Sequence, residues 1–121
     1  MVQRQPQLKL KAQIYLGDEI ALGPGKIDLL EAVARAGSIS GAGREMGLSY
    51  RRAWLLIDTM NRCFTEPLIE TAHGGAKGGG ARVTKAGEAV MQHYRAMQSA
   101  IESAAAAEAE TLMRALAPIS E

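Results

Sequence analysis

The 121-residue chain is poor in residues that build reactive or cross-linked sites. Its one cysteine, Cys63, excludes an internal disulfide and a cysteine-rich zinc site. Its two histidines, His73 and His93, stand far apart without metal-ligand spacing. Aromatic residues make up only 4% of the chain, so the core must consist mainly of aliphatic side chains, which favours packed helices.

Long apolar runs are also absent. No stretch approaches the roughly 18 apolar residues that a membrane-spanning helix needs, and no apolar signal segment follows Met1–Pro6. We therefore expect a cytoplasmic protein with no membrane partner.

No acid, base and nucleophile occur in an arrangement that indicates catalysis. The glycine-rich segment around Lys77 is not a nucleotide-binding P-loop, because the motif and its following helix are missing. The sequence predicts no enzyme, no catalytic residue, no cofactor and no metal site, and it shows no evident small-molecule effector.

Charge is distributed unevenly. Residues 1–85 hold 12 Lys and Arg against 8 Asp and Glu, whereas residues 86–121 hold 2 against 5. The basic N-terminal part and the acidic C-terminal part suggest that the N-terminal part binds an anionic partner.

The first part of the chain alternates between apolar and polar residues. This period-two pattern over residues 8–16, followed by a turn at Gly17 and a short apolar return, predicts a β-hairpin over residues 8–22. Apolar spacings of three and four then predict a helix from Lys26 to Arg35, which ends at Gly37.

Two further helices follow in close succession. Ser38 is a good N-cap for a short helix over Ile39–Met46, which Gly47 stops. Ser49 can cap a longer helix from Tyr50 to about Cys63, whose inward positions are Ala53, Ile57 and Met60. Two helices joined by a tight glycine-containing turn, the second basic at its start, are typical of a helix-turn-helix.

A wing follows the helix pair. Residues 68–71 and 81–84 read as two short strands, and between them lies a segment with five glycines in eight residues. Strand, basic glycine-rich loop and strand are the parts of a wing, with Lys77 and Arg82 as its cations.

The chain ends in a long predicted helix over Lys85–Leu116. At 1.5 Å per residue it is about 45 Å long, more than a domain of this size can cover alone. Its apolar stripe therefore predicts a second copy as partner. Stripe positions assigned to this interface are Val90, Tyr94, Met97, Ile101 and Leu112.

The order of these parts favours DNA binding over a merely solvated basic helix face. The first turn of the second helix would enter the major groove, where Arg51 and Tyr50 would read base edges. Phosphate contacts are assigned to Ser49, Arg52, Arg44, Lys77 and Arg82.

Several motifs together resemble the N-terminal domain of ModE-type molybdate-responsive regulators, which is related to the DNA-binding domain of LysR-type regulators. They are Gly37-Ser38-Ile39-Ser40, Gly47-Leu48-Ser49-Tyr50-Arg51-Arg52-Ala53-Trp54, Met60-Asn61 and the glycine-rich wing up to Gly87. The resemblance covers roughly residues 8–115.

The resemblance implies a mainly α winged helix-turn-helix with a little β structure, an N-terminal hairpin and a long C-terminal dimerisation helix. It implies a homodimer on a palindromic operator in double-stranded DNA, with the first and last helices at the interface. Ile27 and Leu30 therefore join the predicted interface residues, and Ser38 and Ser40 join the DNA contacts.

The whole chain, 1–121, is interpreted as one domain, divided into hairpin (8–22), helix-turn-helix with wing (26–84) and dimerisation helix (85–117). It ends without the C-terminal oxyanion-binding domains of ModE regulators, so the link to molybdate is by association. Two alternatives stay open: a module that heterodimerises with a full-length regulator, and a small oxyanion-binding protein that uses Lys77 and its loop.

Overall fold

A computed structural model describes residues 5–72 and 80–118 of the chain. The elements in chain order are β1 (Ile14–Leu16), β2 (Glu19–Leu22), α1 (Pro24–Ala36), α2 (Ile39–Met46), α3 (Tyr50–Cys63), β3 (Ile69–Thr71), β4 (Ala81–Val83) and α4 (Lys85–Arg114). This order of helices and strands confirms the predicted winged helix-turn-helix.

The N-terminal hairpin is shorter than predicted. β1 begins at Ile14 rather than at residue 8, and it pairs antiparallel with β2. The length of β2 limits the length of β1. Because β2 has four residues and α1 starts at Pro24, no backbone remains to pair with residues 8–13. The alternating pattern there reflects a segment that lies against α4, where the Tyr94 hydroxyl donates to the carbonyl of Ala12 at 2.8 Å.

Helix α1 forms the centre of the core. It starts two residues before the predicted Lys26, because Pro24 can occupy the first helical position, where its missing N–H is not needed. Its buried side chains are Ile27, Leu29, Leu30, Ala32 and Val33.

The helix pair α2 and α3 has the predicted bounds. Each has a serine N-cap: Ser38 Oγ accepts from the amide of Gly41, and Ser49 Oγ accepts from the amide of Arg52, both at 3.0 Å. Between the helices, Gly47 has φ +70°, a conformation that side chains with a Cβ rarely adopt. This turn sets the angle between α2 and α3.

The wing strands β3 and β4 pair antiparallel, with Glu70 opposite Arg82. The amide of Ala81 also donates to the carbonyl of Gly37 at 2.9 Å, which ties β4 to the turn between α1 and α2. The wing is thus joined directly to the start of the helix-turn-helix.

The side chain of Asn61 fixes the other strand of the wing. Its Oδ1 accepts from the amides of Leu68 and Ile69 at 2.8 and 3.2 Å, and its Nδ2 donates to the carbonyl of Ile69 at 3.1 Å. Because Asn61 belongs to α3, its side chain ties β3 to that helix.

Helix α4 begins immediately after the wing. Thr84 Oγ1 accepts from the amide of Gly87 at 3.0 Å and donates to the carbonyl of Pro67 at 2.7 Å. Gly87 is buried against β3: a Cβ built there would lie 2.3 Å from the carbonyl oxygen of Leu68. This close approach requires glycine, and it sets where the long helix leaves the domain.

Candidate nucleic-acid interface

The first turn of α3 is exposed. Tyr50, Arg51 and Arg52 all lie at the surface, directly after the capping Ser49. Ala53, Ile57 and Met60 bury the opposite face of the helix in the core, as predicted. The structure therefore presents the basic first turn outward on a helix whose other face is fixed by packing.

Three arginines of the helix-turn-helix differ from the other described arginines. Within residues 5–72 and 80–118, Arg35, Arg62, Arg82, Arg95 and Arg114 each pair with a carboxylate at 3.5 Å or less. In the same part of the chain Arg44, Arg51 and Arg52 have no carboxylate partner. These three guanidinium groups keep all their donors available for an external anion.

Arg52 also adds to the positive potential near α1. Partial burial lowers the pKa of Lys26, and the positive charge of the nearby Arg52 lowers it further. The basic surface thus extends from the first turn of α3 toward the start of α1.

The predicted serine contacts divide into two groups. Ser38 and Ser49 use their oxygens to cap α2 and α3, which leaves each hydroxyl hydrogen free to donate. Ser40 is exposed in the first turn of α2, and Arg44 is exposed one turn later. Ser38, Ser40 and Ser49 lie at the N-terminal ends of the two helices, and Arg44 lies in the last turn of α2.

Of the two predicted wing cations, the structure describes Arg82 but not Lys77. Arg82 is exposed on β4 and donates to Glu70 across the strand pair at 3.1 Å, so the geometry orients its guanidinium along the wing. Lys77, the other predicted wing cation, and His73 lie outside the described residues.

Trp54 is half-buried beside the first turn of α3 and packs against the core. Its ring meets that of Tyr50 edge to face, with ring centroids 6.4 Å apart. Trp54 therefore packs within its own protomer, between Tyr50 and the core.

The far end of α3 is held by an ionic cluster that the sequence pattern did not reveal. Arg62 donates to Asp58 within the helix at 2.9 Å and to Glu19 of β2 at 3.2 Å. Cys63 donates to the same Glu19 at 3.5 Å, and burial raises the pKa of its thiol. The cysteine is therefore held in its unreactive protonated form.

A second ionic group missed by sequence reasoning joins α1 to α4. Arg95 donates to Glu31 at 2.6 Å and to Asp28 at 2.9 Å. The hydrogen bonds from Arg95 lower the pKa of the Glu31 carboxyl. The partners are 64 and 67 residues apart in sequence, so no local spacing could have indicated them.

The predicted interface residues fall into three groups. Ile27, Leu30 and Tyr94 are at most 2% exposed in the protomer's own core, so they have no surface to offer a partner and leave the proposed interface. Val90, Met97 and Ile101 are partly buried on α4. Leu112 is 69% exposed near the end of the helix.

Residues 25–88 match the model of the bacterial regulatory helix-turn-helix proteins of the LysR family. The match runs from the start of α1 through the wing to the first turn of α4. The chain belongs to this family. The matched segment contains every described residue of the basic surface.

Three similar proteins are named for molybdenum or for the regulation of transcription. The chain is 48% identical over 83 residues to the molybdenum-pterin-binding protein MopA of Rhodobacter capsulatus. It is 44% identical over 84 residues to the molybdenum transport protein ModE of Azotobacter vinelandii. It is 36% identical over 88 residues to the DNA-binding transcriptional dual regulator ModE of Escherichia coli K12.

These matches cover 69–73% of this chain but only 31–34% of each relative. The chain therefore spans about a third of the length of the curated relatives it matches, in their N-terminal part.

Two further properties concern the described residues only. No group of three or more His, Cys, Asp and Glu side chains among them is placed to hold a metal ion. None of the helices in this part of the chain combines the length and apolarity needed to cross a bilayer.

Proposed function

We propose that this chain binds double-stranded DNA as a homodimer and regulates transcription, in a setting related to molybdenum. The observation that carries the proposal is that Arg44, Arg51 and Arg52, all on the helix-turn-helix of a regulatory family, have no carboxylate partner among the described residues. Unpaired guanidinium groups, two of them in the first turn of α3, are what phosphates and guanine edges bind.

Each residue has a distinct part in this proposal. Arg51 and Tyr50 read base edges in the major groove, since both are exposed in the first turn of α3. Phosphate contacts come from Ser38, Ser40, Arg44, Ser49, Arg52 and Arg82, with Lys77 assigned from the sequence alone. The DNA-bound dimer then blocks or recruits RNA polymerase.

The molybdenum setting rests on the relatives. Two of them are named for molybdenum transport or molybdenum-pterin binding, and one is named as a DNA-binding dual regulator. We assign this chain to the same regulatory context because the similarity includes its whole helix-turn-helix.

Dimerisation is supported by apolar surface at the end of α4. Leu112 and Leu116 are 69% and 60% exposed, and Leu8 in the N-terminal segment is 45% exposed. In the proposed dimer a second copy covers these side chains, and the two α3 helices occupy successive major grooves of a palindromic site, about 34–36 Å apart.

The test of DNA binding is a selection from random duplexes at a stated salt concentration, followed by affinity measurements on the selected site. Arg51→Ala should cost about 1–3 kcal/mol at one base position and relax the preference there. Arg35→Ala is the matched control, because Arg35 is an exposed arginine at the end of α1 that pairs with Glu45. Unchanged affinity in Arg51→Ala would refute the assigned role.

Dimerisation has its own test. Leu112→Arg should convert the dimer into a monomer in sedimentation velocity, since a guanidinium cannot be buried in an apolar contact without a partner. A wild-type chain that sediments as a monomer at every concentration would contradict the homodimer. If a full-length regulator displaces one protomer, the chain is a heterodimerising module instead.

A further inference from the structure

We propose that Leu55, flanked by Trp54 and Tyr50, recognises the C5-methyl group of a pyrimidine in the major groove, normally that of thymine. This inference rests on the proposed function, since it requires α3 to enter the groove. It assigns sequence preference to an apolar side chain in addition to the arginine one turn before it.

Leu55 points away from the core. It lies in the middle of α3, on the face opposite Ala53 and Ile57, and it is 49% exposed. Because residues four apart share a helix face, Leu55 lies beside Arg51 on the surface that the proposed function turns toward DNA. A single exposed leucine is common on protein surfaces, so its surroundings decide its role.

Those surroundings form a shallow, mostly apolar depression. Its lining residues are Tyr50, Arg51, Trp54, Leu55 and Asp58. The edge-to-face contact of Tyr50 and Trp54, at an interplanar angle of 79°, fixes one wall. A fixed apolar depression next to a base-reading arginine fits a methyl group, which is the apolar feature that thymine presents in the major groove.

The charged groups lie at the two ends of the depression. The carboxylate of Asp58 would repel a nearby phosphate, but Arg62 donates to it at 2.9 Å and neutralises it. Arg51, at the other end, keeps its charge unpaired among the described residues. Between them the lining consists of the apolar surfaces of Trp54 and Leu55, which offer a methyl group an apolar contact.

The spacing gives a positional expectation. Arg51 and Leu55 are four residues apart, or about 6 Å along the helix axis, which is about two base-pair steps of roughly 3.4 Å. The methyl group that Leu55 contacts should thus lie about two base pairs from the base that Arg51 reads.

The experiment changes the DNA and then the protein. In the duplex selected by the wild-type chain, each thymine is replaced singly by deoxyuridine, which lacks only the methyl group. We expect an about fourfold loss of affinity at one position in each half-site, the value for one methyl group buried on binding. If cytosine is placed at that position, 5-methylcytosine should bind better than cytosine by a similar factor.

Variants assign the effect to Leu55. Leu55→Ala should abolish the difference between thymine and deoxyuridine at that position, whereas Arg51→Ala should weaken binding but preserve the difference. Leu16→Ala is the matched control, because Leu16 is a similarly exposed leucine on β1, outside α3 and outside the proposed dimer surface. Circular dichroism verifies that each variant is folded, and the wild-type scan tests the proposal without any variant.

The outcomes separate this inference from the proposed function. Specific binding that is indifferent to every thymine-to-deoxyuridine change overturns the methyl recognition alone. A full difference retained in Leu55→Ala overturns the role of Leu55. Failure to bind any duplex overturns the proposed function, and the inference with it.

Discussion

The junction between β3 and α4 gives the sharpest test of the structure, because two competing effects act on the same substitution. Gly87→Ala would gain about 1 kcal/mol of helix propensity if α4 were isolated. In the folded chain the new Cβ would lie 2.3 Å from the Leu68 carbonyl oxygen and 2.6 Å from Val83 Cγ1. An ordinary contact begins at about 3.4 Å, so α4 must move away from β3 by about an ångström.

That movement has a calculable cost. Overpacking of this kind costs about 1–3 kcal/mol, and the amide of Thr84 loses part of its 2.9 Å hydrogen bond to Leu68, worth about 1 kcal/mol. After the gain in propensity is subtracted, we expect Gly87→Ala to lower the free energy of unfolding by about 2 kcal/mol. The melting temperature should fall by roughly 5–10 °C.

Gly25→Ala is the matched control. Gly25 lies in the first turn of α1, and a Cβ built there meets no atom within 4 Å. The same substitution should therefore raise stability by about 0.5 kcal/mol. Both variants are unfolded by heat and by urea at one fixed protomer concentration, because association would shift the melting temperature. A Gly87→Ala chain as stable as wild type would refute the packing argument.

Three further substitutions test other contacts. Asn61→Ala should lower the free energy of unfolding by about 2–4 kcal/mol, because it leaves two amides and a carbonyl of the wing without their partner; an effect in urea unfolding below 1 kcal/mol would contradict this. Arg95→Met should lower the free energy of unfolding at neutral pH. The difference in this free energy between variant and wild type should shrink as the pH falls through the lowered pKa of Glu31, because a carboxyl with a depressed pKa stabilises the fold only while ionised. A difference that is constant down to about pH 3 would contradict this. Tyr94→Phe should cost about 1 kcal/mol in thermal unfolding through loss of the hydrogen bond to Ala12, and an unchanged melting temperature would show that this bond contributes nothing.

The sequence determined the helix-turn-helix because its signals are local. Ser38 and Ser49 are N-caps, and Gly47 is a left-handed stop, so the bounds of α2 and α3 follow from single residues and their neighbours. The inward positions of α3 also followed from their spacing. The exposure of Arg51 and Arg52 is then a direct consequence of helix geometry.

Only the tertiary structure determined the features that depend on contacts between residues far apart in sequence. The sequence pattern of residues 8–13 is that of a strand, but a strand needs a partner, and β2 is too short to supply it. Ile27, Leu30 and Tyr94 lie on apolar helix faces of the kind that also form interfaces. Periodicity cannot distinguish a face buried within the protomer from one buried by a second copy. Only the packing of α1 against α2, α3 and α4 assigns them to the protomer's own core.

Electrostatic partners depended on the fold in the same way. The sequence determined that this chain has an arginine-rich helix-turn-helix, since capping, spacing and charge are properties of neighbouring residues. It could not determine which arginines are free, because Glu19 and Glu31 reach Arg62 and Arg95 only after distant segments pack together. Among the described residues, the fold pairs Arg62 at the far end of α3 and the arginines outside the helix-turn-helix with carboxylates, and it leaves Arg44, Arg51 and Arg52 unpaired.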